Sequence, residues 1–226
     1  MKDGIMPEEQ EQTLSQLRSP RAAAINGILF SLLSIYTMSQ TQKIIRIDPA
    51  NISQEWLKTN ADTVSLILLL IPFMGITFLW FTGVLRDWSA DVQDRFFSTV
   101  FFGSGILAMG MLFVWAAIFG ALYGTYAMVG DRWADSGVYY FGVTFMNSIL
   151  SDFTLRMLGL YVSSVATLWA KSKIMPRWLI VITFIVAFIF IIFASTFIKT
   201  RYIFPGWVFL VSVYILIYKY HRTQSN

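Results

Sequence analysis

The chain has 226 residues, 56% of them hydrophobic, 17% aromatic and 13% charged, with a mean hydropathy of +0.61; a soluble domain carries about twice that share of charge. With no cysteine and one histidine, His221, near the polar C-terminus, a disulfide framework, thiolate chemistry, histidine-ligated haem and a zinc hydrolase centre are excluded. The net charge of +4 does not point to nucleic acid, because the basic residues stand at the ends of apolar runs rather than in one patch.

A helix needs about 20 apolar residues to cross a hydrocarbon core of ~30 Å. Six runs of that kind are legible, at about residues 22–40, 63–85, 97–124, 138–170, 177–198 and 203–220. They predict an all-α fold, a polytopic membrane bundle of six transmembrane helices spanning 22–220. Residues 1–21 then form an N-terminal cytoplasmic segment and 221–226 a cytoplasmic tail. Residues 1–21 mix both charges and lack a small-residue cleavage site, so they are not expected to be a signal peptide.

Between segments one and two, Asp48-Pro49 breaks the helix. Ile52, Trp56 and Leu57 then suit either a short helix in the headgroup region or a solvated loop with one anchoring tryptophan. Segment two holds Pro72 near its middle and Gly75 nearby. Proline removes a ladder bond and crowds the carbonyl of Leu68, which makes Pro72 and Gly75 a candidate hinge. The following "RDWSADVQDR" spaces Asp87, Asp91 and Asp94 as on one helical face. Three carboxylates suit a hard cation, but capping and an Asp91–Arg95 pair explain them as well, and no EF-hand spacing is present. No other metal site and no cofactor is implied.

Segment three places Ala116, Gly120 and Gly124 four apart, with Gly103 and Gly110 as further notches. Small residues at such spacing let helices approach closely, either inside the bundle or across a dimer seam. Internal packing is the expectation, with Ser104 able to hydrogen-bond across the contact.

Segment four is the most polar, and it carries Asp152 and Arg156 four residues apart. Its length of about 33 residues exceeds the core thickness, so two placements compete. If Trp169, Lys171 and Lys173 anchor the inner end, Asp152 lies near the outer interface. Arg156 then leans toward the helix N-terminus to meet it. If the helix tilts strongly, the pair lies near the midplane and must face the bundle interior. Asp152, Arg156, Ser163 and Thr167 follow roughly one face, with Asn147 above them. Such a stripe fits a solute pathway, a ligand pocket or a polar seam between helices. Lys199 and Arg201, in the short hairpin before segment six, suit an interfacial belt.

Orientation follows the positive-inside rule. With both termini inside, ten lysines and arginines lie in the cytoplasm and six outside, and Arg156 remains in the membrane.

"GVLRD", "DRFFSTVFFGSG", "RM" at 156–157, "PRWL" at 176–179 and "FPGWVFLVSVYIL" at 204–216 resemble, in this order, a group of bacterial multi-pass membrane proteins with no assigned activity. The likeness is scattered over about residues 81–216. It implies a helix bundle in a bacterial inner membrane, and no activity. Two functions fit the residues. One is a transporter or binding protein for a small solute, ion or proton, with Arg156 as fixed charge and Asp152 as partner or proton carrier. The other is a scaffold or accessory subunit working through helix contacts. The bilayer is the expected partner, with a second copy or another membrane protein as candidates and no nucleic acid. Enzymatic activity is not the expectation, since only carboxylates remain to carry it.

Overall fold

The computed structural model describes residues 20–45, 54–88, 95–130, 137–194 and 198–224. Among these there are helices and turns and no strands. In chain order they are α1 (Pro20–Ile45), α2 (Gln54–Trp88), α3 (Arg95–Val129), α4 (Val138–Ser148), a π-helical turn (Ile149–Thr154), α5 (Leu155–Ser172), α6 (Arg177–Ile192), a 3₁₀ turn (Ile198–Tyr202) and α7 (Ile203–Gln224). The helix α4, the π turn and α5 form one rod. Five of the six helical segments are long and apolar enough to cross a membrane; α6, at 16 residues, is the shorter apolar one. The chain is an integral membrane protein built as an all-α bundle.

Two boundaries depart from the sequence reading. Gln54 already belongs to α2, so the stretch around Trp56 is the first turn of a long helix and not a separate surface helix. The side chains of Trp56 and Leu57 and the Asp48-Pro49 break lie outside the described residues. At the other end of the chain, α6 stops at Ile192 instead of continuing to 198, with the Phe193 N–H closing the last turn on the Ile189 carbonyl.

Lipid tails are as apolar as leucine, so helices in a bilayer associate through packing and internal hydrogen bonds. Here the packing is aromatic. Phe30 of α1, Phe78 of α2, Phe101 of α3, Tyr161 of α5, Phe190 of α6 and Phe204 of α7 form a linked hub. Tyr161 lies at its centre, fully buried, stacked on Phe101 with centroids 4.7 Å apart. Its hydroxyl meets Thr82 Oγ1 at 3.1 Å, so the one polar atom of the hub is satisfied. One layer further along, Trp169 stacks on Trp207, whose Nε1–H donates to Thr183 Oγ1 at 3.0 Å.

The two ends of the bundle differ. At the basic end, Arg86 lies over the Phe102 ring at 5.4 Å and Lys171 over Phe97 at 4.6 Å, cation–π contacts that tie α2 and α5 to α3. At the opposite, tyrosine-rich end, Tyr139 donates to the Ile45 carbonyl at 2.7 Å. A helix leaves its last carbonyls unpaired, and this bond satisfies one of them from the neighbouring rod.

The helices also end at different heights. The hairpin of α6 and α7 turns over beside the middle of the longer helices, because Arg201, Phe204 and Pro205 share one small cavity with Met74, Met109, Leu112, Leu150 and Thr154. Gly159 sets how closely the hairpin approaches. A Cβ there would lie 2.8 Å from Ile191 Cγ1 and 3.2 Å from its backbone nitrogen.

Candidate functional site

The charged pair sits on the π turn and the first turn of α5. Arg156 Nη1 donates to the Asp152 main-chain carbonyl at 2.6 Å and to Asp152 Oδ1 at 3.3 Å. The guanidinium therefore points toward the helix N-terminus, the direction in which helical side chains lean. The main-chain bond is the shorter, so the arginine is anchored by the backbone as much as by the carboxylate. Both side chains are well exposed, 44% for Arg156 and 39% for Asp152.

That exposure decides which way the stripe faces. On α5 the buried positions are Leu155, Leu158, Gly159, Tyr161, Val162, Ser164, Val165, Ala166, Leu168 and Trp169, while Arg156 and Leu160, like Phe153 of the π turn, are exposed. Asp152, Arg156, Ser163 and Thr167 thus share the outward side of the rod, and Asn147 is exposed above them. The hydroxyls are spent locally: Ser163 donates to the Leu160 carbonyl and Thr167 to the Ser163 carbonyl, each at 2.9 Å. Self-bonded hydroxyls of this kind satisfy their own helix and offer little to a solute.

The π turn explains how one rod serves two faces. It adds about one residue to the turn, and such bulges are frequent at functional sites. Thr154, buried, uses its hydroxyl to close on the Ile149 carbonyl at 2.8 Å. Leu150 and Thr154 point inward to the cavity while Asp152 and Phe153 face out.

The cavity between these elements measures ≈ 20 Å³, room for roughly one water molecule. Its walls are apolar and methionine-rich (Met38, Met74, Met109), with Arg201, Ser34 and Thr154 as the polar members. Ser34 Oγ is fully buried and makes no hydrogen bond among the described residues. Neither Ser34 nor the joint lining of this cavity by Arg201 and Thr154 is legible in the sequence. Segment one also holds Asn26, Ser31, Thr37 and Ser39, so nothing in the sequence sets Ser34 apart.

The remaining candidates separate. Asp91 and Asp94 lie outside the described residues, as does the side chain of Asp87, at the end of α2. Among the described residues no group of three carboxylate, histidine or cysteine side chains could hold a metal. The helix α2 runs unbroken through Pro72, and Gly75 is buried where a Cβ would meet the Phe113 ring at 2.6 Å. Of the small residues on α3, Ala116 is buried and Gly120 faces Leu68, but Gly103, Gly110 and Gly124 have nothing within 4 Å of a Cβ position. Internal packing therefore uses only part of that set. Ser104 bonds the Val100 carbonyl of its own helix at 2.6 Å and not a neighbour.

No family model, curated protein or solved structure matches this chain.

Proposed function

We propose that the protein is a non-conducting membrane scaffold or accessory subunit that works through the lateral faces of its helices. The observation that carries this reading is the outer face of α3. Gly103, Gly110, Ala117 and Gly124 recur every seven residues, the three glycines border open space, and Ala117 is exposed. A small residue in each heptad leaves a groove into which a second helix can pack closely. The occupant is a second copy or another membrane protein. On the positive-inside rule the basic end faces the cytoplasm and both termini lie there. The scattered resemblance in sequence favours a bacterial inner membrane.

A solute pathway is the second reading, and it rests on Asp152 and Arg156. Cysteine cross-linking separates the two, because the chain has no cysteine of its own. Ala117→Cys in native membranes is expected to give a cross-linked species, whereas Phe188→Cys, exposed on α6, is not. Absence of the α3 cross-link, together with Arg156-dependent flux in liposomes, would transfer the assignment to transport.

A further inference from the structure

The most polar of the helical segments turns its charged side away from the bundle. Asp152 and Arg156 lie two residues on either side of Thr154, whose inward side chain lines the cavity with Met74 and Leu112. Met74 stands about midway along the apolar span Lys58–Arg86, and Leu112 stands at the middle of Phe96–Val129. Two residues of helix measure about 3 Å, so both charges are level with the middle of these two spans. Phe153 and Leu160, apolar and exposed, flank them on the lateral surface. Charges within a membrane span almost always face the interior of a bundle or a water-filled cavity. These face outward, and within a single chain nothing covers them.

Whatever covers the pair has to match both of its signs. Asp152 and Arg156 cancel in sum, so an anion that met the guanidinium would also meet the carboxylate. A helix carrying the same two charges matches them, and a second copy of this chain carries them at the same depth. We infer that two copies associate rod against rod about a two-fold axis along the membrane normal, with Arg156 of each copy bonded to Asp152 of the other. The donors for that bond are in place. Within the chain Nη1 makes both bonds of Arg156, to the Asp152 carbonyl and to Oδ1, and its Nε–H and Nη2–H₂ have no partner among the described residues. A carboxylate accepts more than one such bond. Because Arg156 leans back one turn, its guanidinium stands at the height of Asp152 on its own helix, and so at the height of Asp152 on a copy related by the two-fold. The contact is self-complementary, and it closes a ring of alternating guanidinium and carboxylate. Below the pair, Ser163 and Thr167 present short side chains whose hydroxyls bond their own helix, which lets the two rods approach. The seam uses the rod and not the α3 groove, so either can exist without the other.

Energy transfer between copies tests it. The full chain, labelled at a C-terminal tag with a donor or an acceptor dye, is reconstituted in phosphatidylethanolamine–phosphatidylglycerol vesicles at a fixed protein-to-lipid ratio. Parent donor with parent acceptor is expected to transfer well above the level of random proximity. Asp152→Asn with itself brings two arginines to the seam, and Arg156→Gln with itself brings two carboxylates. Each is expected to associate about tenfold more weakly than the parent. Mixing Asp152→Asn with Arg156→Gln restores one bond between copies, although neither chain then holds a pair of its own. Transfer in the mixture is expected to recover to a level between the single variants and the parent, and that recovery also shows both variants to be folded. Absence of transfer in the parent overturns the inference and leaves the pair to headgroups or water. Transfer indifferent to the substitutions, or a mixture no better than the single variants, overturns it as well, because the copies then meet elsewhere.

Discussion

Arg156 folds back along its own helix onto Asp152, and its shorter bond is to the main-chain carbonyl, at 2.6 Å against 3.3 Å to the carboxylate. Removing the carboxylate therefore leaves the arginine with its principal anchor. Exposed ion pairs at this spacing contribute well under 1 kcal/mol once the entropy of holding both side chains is counted. In detergent, Asp152→Asn and Arg156→Gln are each expected to lie within about 1 kcal/mol of the parent, with a coupling energy of about 0.5 kcal/mol or less. A double-mutant cycle on reversible unfolding measures it. A coupling of several kcal/mol would mean that the pair holds the bundle together.

The hydroxyl–hydroxyl contact between Tyr161 and Thr82 is the opposite case, buried on both sides. Tyr161→Phe leaves the ring in the hub and strips only its oxygen, stranding Thr82 Oγ1. The expected cost is about 1 kcal/mol, since partners within membrane proteins contribute modestly. Thr82→Val in the same chain removes the stranded oxygen, so the double variant is expected to be no less stable than Tyr161→Phe alone. Tyr161→Ala empties the hub and is expected to cost about 3–5 kcal/mol. Unfolding in mixed micelles distinguishes these levels.

Glycines that look alike in the sequence divide by what stands opposite them. At Gly159 an added Cβ meets Ile191 and Phe190, including the Ile191 backbone nitrogen at 3.2 Å, which cannot yield without moving α6. Gly159→Ala is expected to destabilise by about 1–3 kcal/mol through overpacking. Gly110 faces open space within the single chain, so in monomeric detergent micelles Gly110→Ala is expected to be neutral or to stabilise by up to about 1 kcal/mol through helix propensity. In native membranes, where the proposed partner helix fills that space, the same change is expected to weaken the Ala117→Cys cross-link, and an unchanged cross-link would count against close packing at Gly110.

Segment four shows what the sequence discloses and what it conceals. Its extent, read as 138–170, is nearly that of the rod Val138–Ser172, and the backward reach of Arg156 follows from the lean of helical side chains. The π turn left no mark in the residue pattern. The direction of the polar stripe was equally hidden, because in a bilayer both the outside and the inside of a bundle are apolar. The rule that polar residues face solvent therefore has no purchase. The same symmetry hid which α3 glycines touch a neighbour. Hydropathy showed Gly103, Gly110 and Gly124 to be in a membrane helix, but their exposure depends on the crossing of α2 and the rod. Segment five failed differently. Its apolar count runs on to 198, whereas the helix ends at Ile192 beside the middle of its neighbours.

The π turn offers a direct test of how that rod is phased. One surplus residue in a helix turns everything on its N-terminal side by about 100° relative to α5. With the turn present, Tyr139 reaches the Ile45 carbonyl, Met146 is buried and Gly142 packs on Leu122. Deleting Ser151, half-exposed within the turn, restores a regular helix and swings all three away from their partners. The deletion is expected to cost several kcal/mol, whereas Ser151→Ala, which keeps the register, is expected to stay within about 0.5 kcal/mol of the parent. Tyr139→Phe supplies the internal control. In the parent it should cost about 1 kcal/mol by leaving the Ile45 carbonyl unpaired, and in the deletion variant nothing, since the bond is already lost. If the deletion variant is as stable as the parent and still sensitive to Tyr139→Phe, the upper rod is not phased by the π turn.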